Sequence, residues 1–183
     1  ASAARARKAR HGSIEAGRVL AVAFPDSQMQ VLPYNRVVRD LNGRSAEQLL
    51  ESIARTFSVR SGGPESAARK GTVAMYLHRQ WHAIDLKTPA DGLDVDVLQT
   101  AVLEPLFGIR DVRTDKRIDF VGGIRGTKEL ERLVDSGDFA VAFSLHPVSV
   151  RDLMRIADQG GIMPPKSTWF EPKLRDGLLS HLI

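Results

Sequence analysis

The residues best suited to chemistry lie in two glycine-bearing stretches. In the first, Asp119-Phe120-Val121-Gly122-Gly123-Ile124-Arg125-Gly126-Thr127, an apolar strand runs into a glycine turn and then into a helix start. Such a turn can aim backbone N–H groups at an anion, and the helix dipole adds to the attraction. Gly122 and Gly123 would let the backbone approach a phosphate closely. Lys116, Arg117 and Arg125 would add positive charge. The same residues also fit an ordinary tight turn that needs positive φ. The second stretch is Gly160-Gly161-Ile162-Met163-Pro164-Pro165-Lys166-Ser167-Thr168. Its letters approach the phosphate-binding pattern G-x-x-x-x-G-K-S. Pro165, however, stands where the second glycine belongs. Proline has no N–H to offer a phosphate, and its φ is fixed. The stretch also follows a predicted helix rather than a strand. A P-loop is therefore rejected, while Lys166, Ser167 and Thr168 could still line an anion site in an extended loop. Long irregular loops are more often functional than short ones. Packing and solvent contact is the other reading of this stretch and of the Trp169–Leu174 run that continues it.

Pro33–Gly43 mixes donors, acceptors and Tyr34. Asn35, Arg36 and Asp40 could contact a ligand. Equally, Asp40 could pair with Arg36 or Arg39, and Asn42-Gly43 is a turn signal. Asp115, Arg117 and Asp119 share one face if that segment is extended, giving either a ladder of ion pairs or a charged site. Of the five histidines, His78 and His82 have the spacing of a helical metal pair. Their surroundings read as a hairpin, which would separate them, so no metal ligand is assigned. His146 ends a buried strand and could serve as an acid or base, or be a satisfied structural residue. Asp91, Asp94 and Asp96 lack the ligand order of a calcium loop and read as helix-start acids. The nucleophile-elbow pattern G-x-S-x-G and the dinucleotide pattern G-x-G-x-x-G are both absent.

The elements that would position these residues follow from pattern. Ala1–Arg10 is made of helix formers with no N-cap before it, so it reads as a helix entered midway, and residues 1–12 as the end of a truncated upstream helix. Arg18–Phe24 is nearly continuous in apolar character and predicts a strand buried on both faces. Met29–Leu32 and Val37–Val38 are short extended pieces. Ser45 and Gln48 make a capping box for a helix with apolar Leu49, Leu50, Ile53 and Ala54. Thr72–Leu77 and Gln80–Leu86 predict a hairpin. A helix from Asp94 to about Leu103 is expected to stop at Pro105 and Gly108. Ile118–Val121 is a strand, Thr127–Val134 a helix closed at Gly137, and Phe139–Leu145 a buried strand. Ser149 opens a helix through Ala157, with Asp152 completing a second capping box. After Met163 the chain reads as irregular, with a last strand at Leu178–Ile183. Strands and helices do not alternate strictly, which argues for an α+β (mixed α/β) region with helices packed on a mixed sheet.

Composition narrows the classes. The chain has 183 residues, 43% hydrophobic and 26% charged, which is ordinary globular usage. One α+β region over residues 1–183 fits that length. There is no cysteine, so disulfides, thiolate metal sites and cysteine nucleophiles are excluded. No apolar run reaches about 18 residues, and no apolar stretch follows the basic N-terminal segment. A cytoplasmic protein with no membrane partner is expected. The net charge is +4, and Arg5, Arg7, Lys8 and Arg10 alone account for it. The body is neutral, so nucleic acid is not the expected partner.

Three segments carry a resemblance: Val31-Leu32-Pro33-Tyr34-Asn35-Arg36-Val37-Val38, Arg113–Gly123 and Met163–Leu174. Together they resemble the C-terminal part of the domain-of-unknown-function 1015 family. Members of that family carry, upstream, a Gly-His-His-Arg type motif. It is similar to the phosphate-contacting motif of the ParB/sulfiredoxin-like fold, which includes free-serine kinases and nucleotide-binding partition proteins. In the family a helix like Ala1–Arg10 follows that motif. The resemblance implies a nucleotide-dependent phosphotransferase acting on a small metabolite such as an amino acid, with ATP or ADP and Mg²⁺. In that reading Lys166 stabilises charge, and Asp119 or Glu171 holds the metal or accepts the hydroxyl proton. Arg117, Gly122, Gly123, Arg125, Ser167, Thr168, Asn35 and Arg36 would contact the nucleotide. This chain alone is expected to be inactive, with the upstream half as a partner and a homodimer as a further assembly. A non-catalytic ParB-like nucleotide- or nucleic-acid-binding module is the alternative, and a structural or dimerisation half a third.

Overall fold

The computed structural model describes residues 2–12, 17–18, 20–175 and 177. They form two compact units: Ala1–Gln30 with Pro172–Ile183, and Val31–Glu171. In the first unit, helix α1 (Ser2–His11) ends where Gly12, at φ 70°, donates its N–H to the Lys8 carbonyl at 2.9 Å. Arg5, Lys8 and Arg10 on it are exposed. The described residues of the expected strand Arg18–Phe24, 18 and 20–24, are not in a strand. Residues 20–24 make no described ladder, and Leu20, Val22 and Phe24 are 52%, 51% and 38% exposed. An apolar run becomes a buried strand only where partners cover it, and none does so among the described residues. The expected strand at Leu178–Ile183 lies outside the described residues.

The second unit is built on a six-stranded sheet. Its strands are β2 (Tyr34–Val38), β3 (Ser58–Ser61), β4 (Thr72–Leu77), β5 (Gln80–Asp85), β6 (Ile118–Gly122) and β7 (Val141–Leu145). They lie in the order β3-β5-β4-β7-β2-β6. The fold is α+β as expected, and every pair in this sheet is antiparallel. A separate two-stranded sheet joins β1 (Gln30–Leu32) to β8 (Trp169–Glu171), which lies within the tail expected to be irregular. The β4–β5 hairpin turns at His78 and Arg79, both at positive φ (49° and 61°), as a two-residue loop requires. His78 is thus in the turn and His82 on a strand, as the hairpin reading expected.

Side-chain alternation gives the sheet two apolar faces. On one, Val73, Met75, Leu77, Val141, Phe143 and Val38 pack under α2 (Ala46–Ala54) and under a longer helical segment. That segment joins α3 (Asp94–Leu98), a π-turn (Gln99–Leu103) and α4 (Glu104–Phe107). On the other face, Val37, Ala74, Tyr76, Trp81 and Ala142 pack on Leu130 of α5 (Gly126–Asp135). Helix α2 starts with both bonds of the expected Ser45–Gln48 capping box. Ser149 caps α6 (Val150–Asp158) by accepting from the Asp152 N–H. The Asp152 carboxylate takes the Ser149 hydroxyl, so the reciprocal half of that expected box is replaced.

Pro105 does not stop the third helix, which runs on to Phe107 and closes at Gly108 with φ 70°. A proline inside an α-helix clashes with the carbonyl four residues back. Here the turn before it widens, and the Glu104 N–H bonds to Gln99 O in π fashion. The widened turn matters to the site because it carries Gln99.

Candidate functional site

Arg36 sits on β2, opposite Phe120 of β6 and Phe143 of β7, in the interior of the sheet. Alternation turns its side chain to the same face as Val38, and it is 2% exposed. Nη1 donates to the Tyr34 carbonyl at 2.7 Å and Nη2 to the Lys166 carbonyl at 3.3 Å. The guanidinium lies 5.6 Å from the Phe120 ring centroid. Burial pulls its pKa down to about 10, with Asp96 opposing, so it is still a cation at neutral pH. No carboxylate comes within ion-pair distance of it among the described residues. A buried cation that lacks a counter-ion is costly. Such a group is in effect asking for an anion.

Arg36 forms the floor of a cleft of about 620 Å³. Asp96 and Gln99 line it from α3 and the π-turn, Arg110 and Arg113 stand at its rim, and Ile162–Pro165 form a wall. Gln99 donates Nε2 to the Ile109 carbonyl at 2.7 Å, but its buried Oε1 has no hydrogen-bond partner among the described residues. Asp96 is exposed as a residue. Partial burial of its carboxyl nonetheless raises its pKa, with Arg36 opposing. Arg113 is held by Asp111 at 2.9 Å, and that contact draws the Asp111 carboxyl down to about 2. A second cavity, of about 20 Å³, adjoins Arg36 and is lined by Lys70, Asp94, His146 and Ser167. It has room for a single water. The Ser167 hydroxyl is buried and has no hydrogen-bond partner among the described residues.

Of the residues expected to form a site, the structure brings Arg36, Lys166 and Ser167 together. Lys166 has φ 53°, an uncommon conformation for a residue with a side chain. Its Nζ is 5.4 Å from the Tyr34 ring centroid. Thr168 follows, half-buried, and Glu171 on β8 accepts the Trp169 Nε1–H at 2.6 Å. The remaining expected residues are engaged elsewhere. Arg117 is bound to Asp115 at 2.7 Å and to the Phe107 carbonyl at 2.9 Å. Arg125 is exposed, 3.7 Å from Glu129. Asp119 pairs with Val37 in the ladder, so it faces away from Arg36. Asn35, also on that side, accepts the Leu145 N–H at 3.2 Å. Neither Gly122 nor Gly123 has positive φ. Gly122 is needed because a Cβ there would lie 2.5 Å from the Trp169 ring, and one at Gly123 would meet Pro33 at 2.6 Å. The Gly123 N–H already donates to the Pro33 carbonyl at 2.8 Å.

The family described as protein of unknown function (DUF1015) matches residues 1–105, more than half of the sequence. The chain belongs to that family. Within this DUF1015 member the match takes in Arg36, Asp96 and Gln99, while Lys166 and Ser167 lie beyond it. No curated protein matches the chain. Among solved structures, a free serine kinase in complex with AMP is similar at a TM-score of 0.50 and 14% identity, covering 78% of this chain and 54% of that one. A mutant form of that kinase with AMP gives 0.50 at 15% identity, with the same coverage. A conserved hypothetical protein from Pyrococcus furiosus gives 0.50 at 13% identity, covering 78% of this chain and 56% of that one. At these identities the likeness is one of fold. The chain spans about half the length of the solved structures it matches. Among the described residues no helix is long and apolar enough to cross a membrane.

Sequence reasoning passed over Asp96 and Gln99. Asp96 read as a helix-start acid, and Gln99 was not singled out within the helix expected from Asp94. A usable signal was their i, i+3 spacing, which puts them on one face of the helix.

Proposed function

We propose that this chain supplies the anion-binding half of a nucleotide-dependent phosphotransferase acting on a small metabolite such as an amino acid. The carrying observation is the convergence of Arg36, Lys166 and Ser167 on one spot, where among the described residues the buried cation has no ion-pair contact and the buried hydroxyl no hydrogen bond. The fold likeness to a kinase bound to AMP supports the reading. Phosphoryl transfer asks mainly for positioning and charge neutralisation. The acceptor hydroxyl oxygen forms the new P–O bond. The bond to the nucleotide's bridging oxygen breaks, that oxygen keeps the electron pair, and the hydroxyl proton passes to a carboxylate. Of the two carboxylates expected for that role, Glu171 follows Lys166–Thr168 on β8, whereas Asp119 faces away from Arg36. Lys166 and Ser167 would meet the transferred phosphoryl group. Among the described residues no three His, Asp or Glu side chains converge. A Mg²⁺ ion would therefore be held chiefly by the phosphates, as it often is.

The test is a thermal-shift screen of this chain with AMP, ADP, ATP, CTP and pyrophosphate, each with and without Mg²⁺. A ligand that binds the native state raises the melting temperature by mass action. A rise that Lys166→Ala abolishes is the expected result. A rise untouched by that substitution removes Lys166 from the site. No rise with any of the five, here or in a longer chain carrying a further half, sinks the reading.

A further inference from the structure

The cleft makes three unmet demands at once. Arg36, buried and cationic, has no carboxylate in ion-pair contact among the described residues and feels the Asp96 charge only from beyond that distance. Gln99 Oε1, buried, has no donor among the described residues. Asp96 lines the same cleft and makes no ion pair among the described residues. A phosphate would answer the first demand, leave the second, and be repelled by Asp96. A cationic amine would answer the last two and be repelled by Arg36. A small zwitterion answers all three. Asp111 already neutralises Arg113, and Arg110, exposed at the rim, adds a second cation for the anionic end of the ligand.

From these contacts we propose that the cleft is an α-amino-acid subsite: Arg36 receives the α-carboxylate, and Asp96 with Gln99 Oε1 receives the α-ammonium. The guanidinium fork suits a carboxylate. Asp96 and Gln99 stand one turn apart on α3 and the π-turn, so both reach one ammonium group from the same wall. Met163, Pro164 and Pro165 offer the amino-acid side chain an apolar surface, continued by Ile162, which is 93% exposed. The inference rests on the proposed phosphotransferase reading for its acceptor: Arg36 would take the acceptor's carboxylate, and the neighbouring Lys166 and Ser167 would be left to the phosphoryl group that its hydroxyl attacks.

The experiment is calorimetric titration of this chain with the twenty common L-amino acids, one at a time and without nucleotide. The tightest binder is then compared with its decarboxylated amine and its deaminated acid. Each analogue is expected to bind at least about tenfold more weakly, the size of one lost charged hydrogen bond. Asp96→Asn, at an exposed position, is expected to weaken the amino acid about tenfold and leave the chain folded with a cooperative melt. It should also leave any nucleotide shift intact. Binding of none of the twenty overturns the inference. So does equal binding of the analogues, or an affinity indifferent to Asp96→Asn. Displacement of the amino acid by inorganic phosphate would instead make the cleft a phosphate site. A nucleotide shift without amino-acid binding removes the subsite and keeps the phosphotransferase. Amino-acid binding without any nucleotide shift does the reverse.

Discussion

At the scale of single residues, burial sets what each group will do when its surroundings change. His82 is 3% exposed on β5, with Nδ1 3.2 Å from Ser61 Oγ. Burial pulls its pKa below 6.5, with a backbone contact to Leu77 opposing. The unfolded chain therefore binds the proton first as pH falls. Stability is full above the unfolded value and declines as pH drops from about 6.5 towards the folded value. Urea midpoints at pH 7.5 and 5.5 should differ in wild type, and the difference should shrink in His82→Gln. Parallel curves for the two proteins would refute the assignment. Gly122 offers a steric test. An added methyl meets the Trp169 ring, so Gly122→Ala should cost about 1–3 kcal/mol by urea unfolding. A cost near zero would mean that Trp169 moves aside freely, and the ring would then be a poor clamp for the loop that carries Lys166.

At the scale of elements, legibility followed the range of the signal. The Ser45–Gln48 box, the Ser149 cap and the His78–Arg79 hairpin are written within a few residues, and all three were readable. Ser45→Ala should lower stability by about 1 kcal/mol, measured by the same unfolding; no loss would show that Gln48 alone holds the helix start. The third helix was misjudged at Pro105 because a proline's effect depends on the turn before it, and a π-turn is not announced by composition. The strand expected at Arg18–Phe24 failed for the opposite reason, since its apolar letters describe what it could bury and say nothing of what covers it. In the site, Arg36, Lys166 and Ser167 stood out by residue type. Asp96 and Gln99 became visible only when the chain folded helix and sheet around one space. The Gly122-Gly123 pair was read either as a turn that lets the backbone approach a phosphate or as one needing positive φ; neither glycine has positive φ, and what the pair allows is the close approach of Trp169 and Pro33.

At the scale of the whole molecule, the sheet order makes β2 an interior strand, second from the edge, although it comes first of the six in the chain. It pairs with β6 and β7, some hundred residues later, while β4 and β5 close locally. Both apolar faces, the cleft and every strand of the six-stranded sheet lie within Val31–Glu171. No described residue outside that range joins either apolar cluster. A chain of residues 31–171 should therefore fold on its own and melt in one cooperative step. Its heat-capacity change on unfolding should be about 2 kcal/mol/K, as expected for a domain of that length. It should also keep the amino-acid affinity of the longer chain, because every residue assigned to the subsite is retained. Calorimetry with coincident circular-dichroism and fluorescence transitions would establish the single step. A broad, non-cooperative melt would show that the N-terminal segment or the C-terminal tail completes the core. Cooperative folding with lost ligand affinity would show instead that those segments shape the cleft without being needed to hold the sheet together.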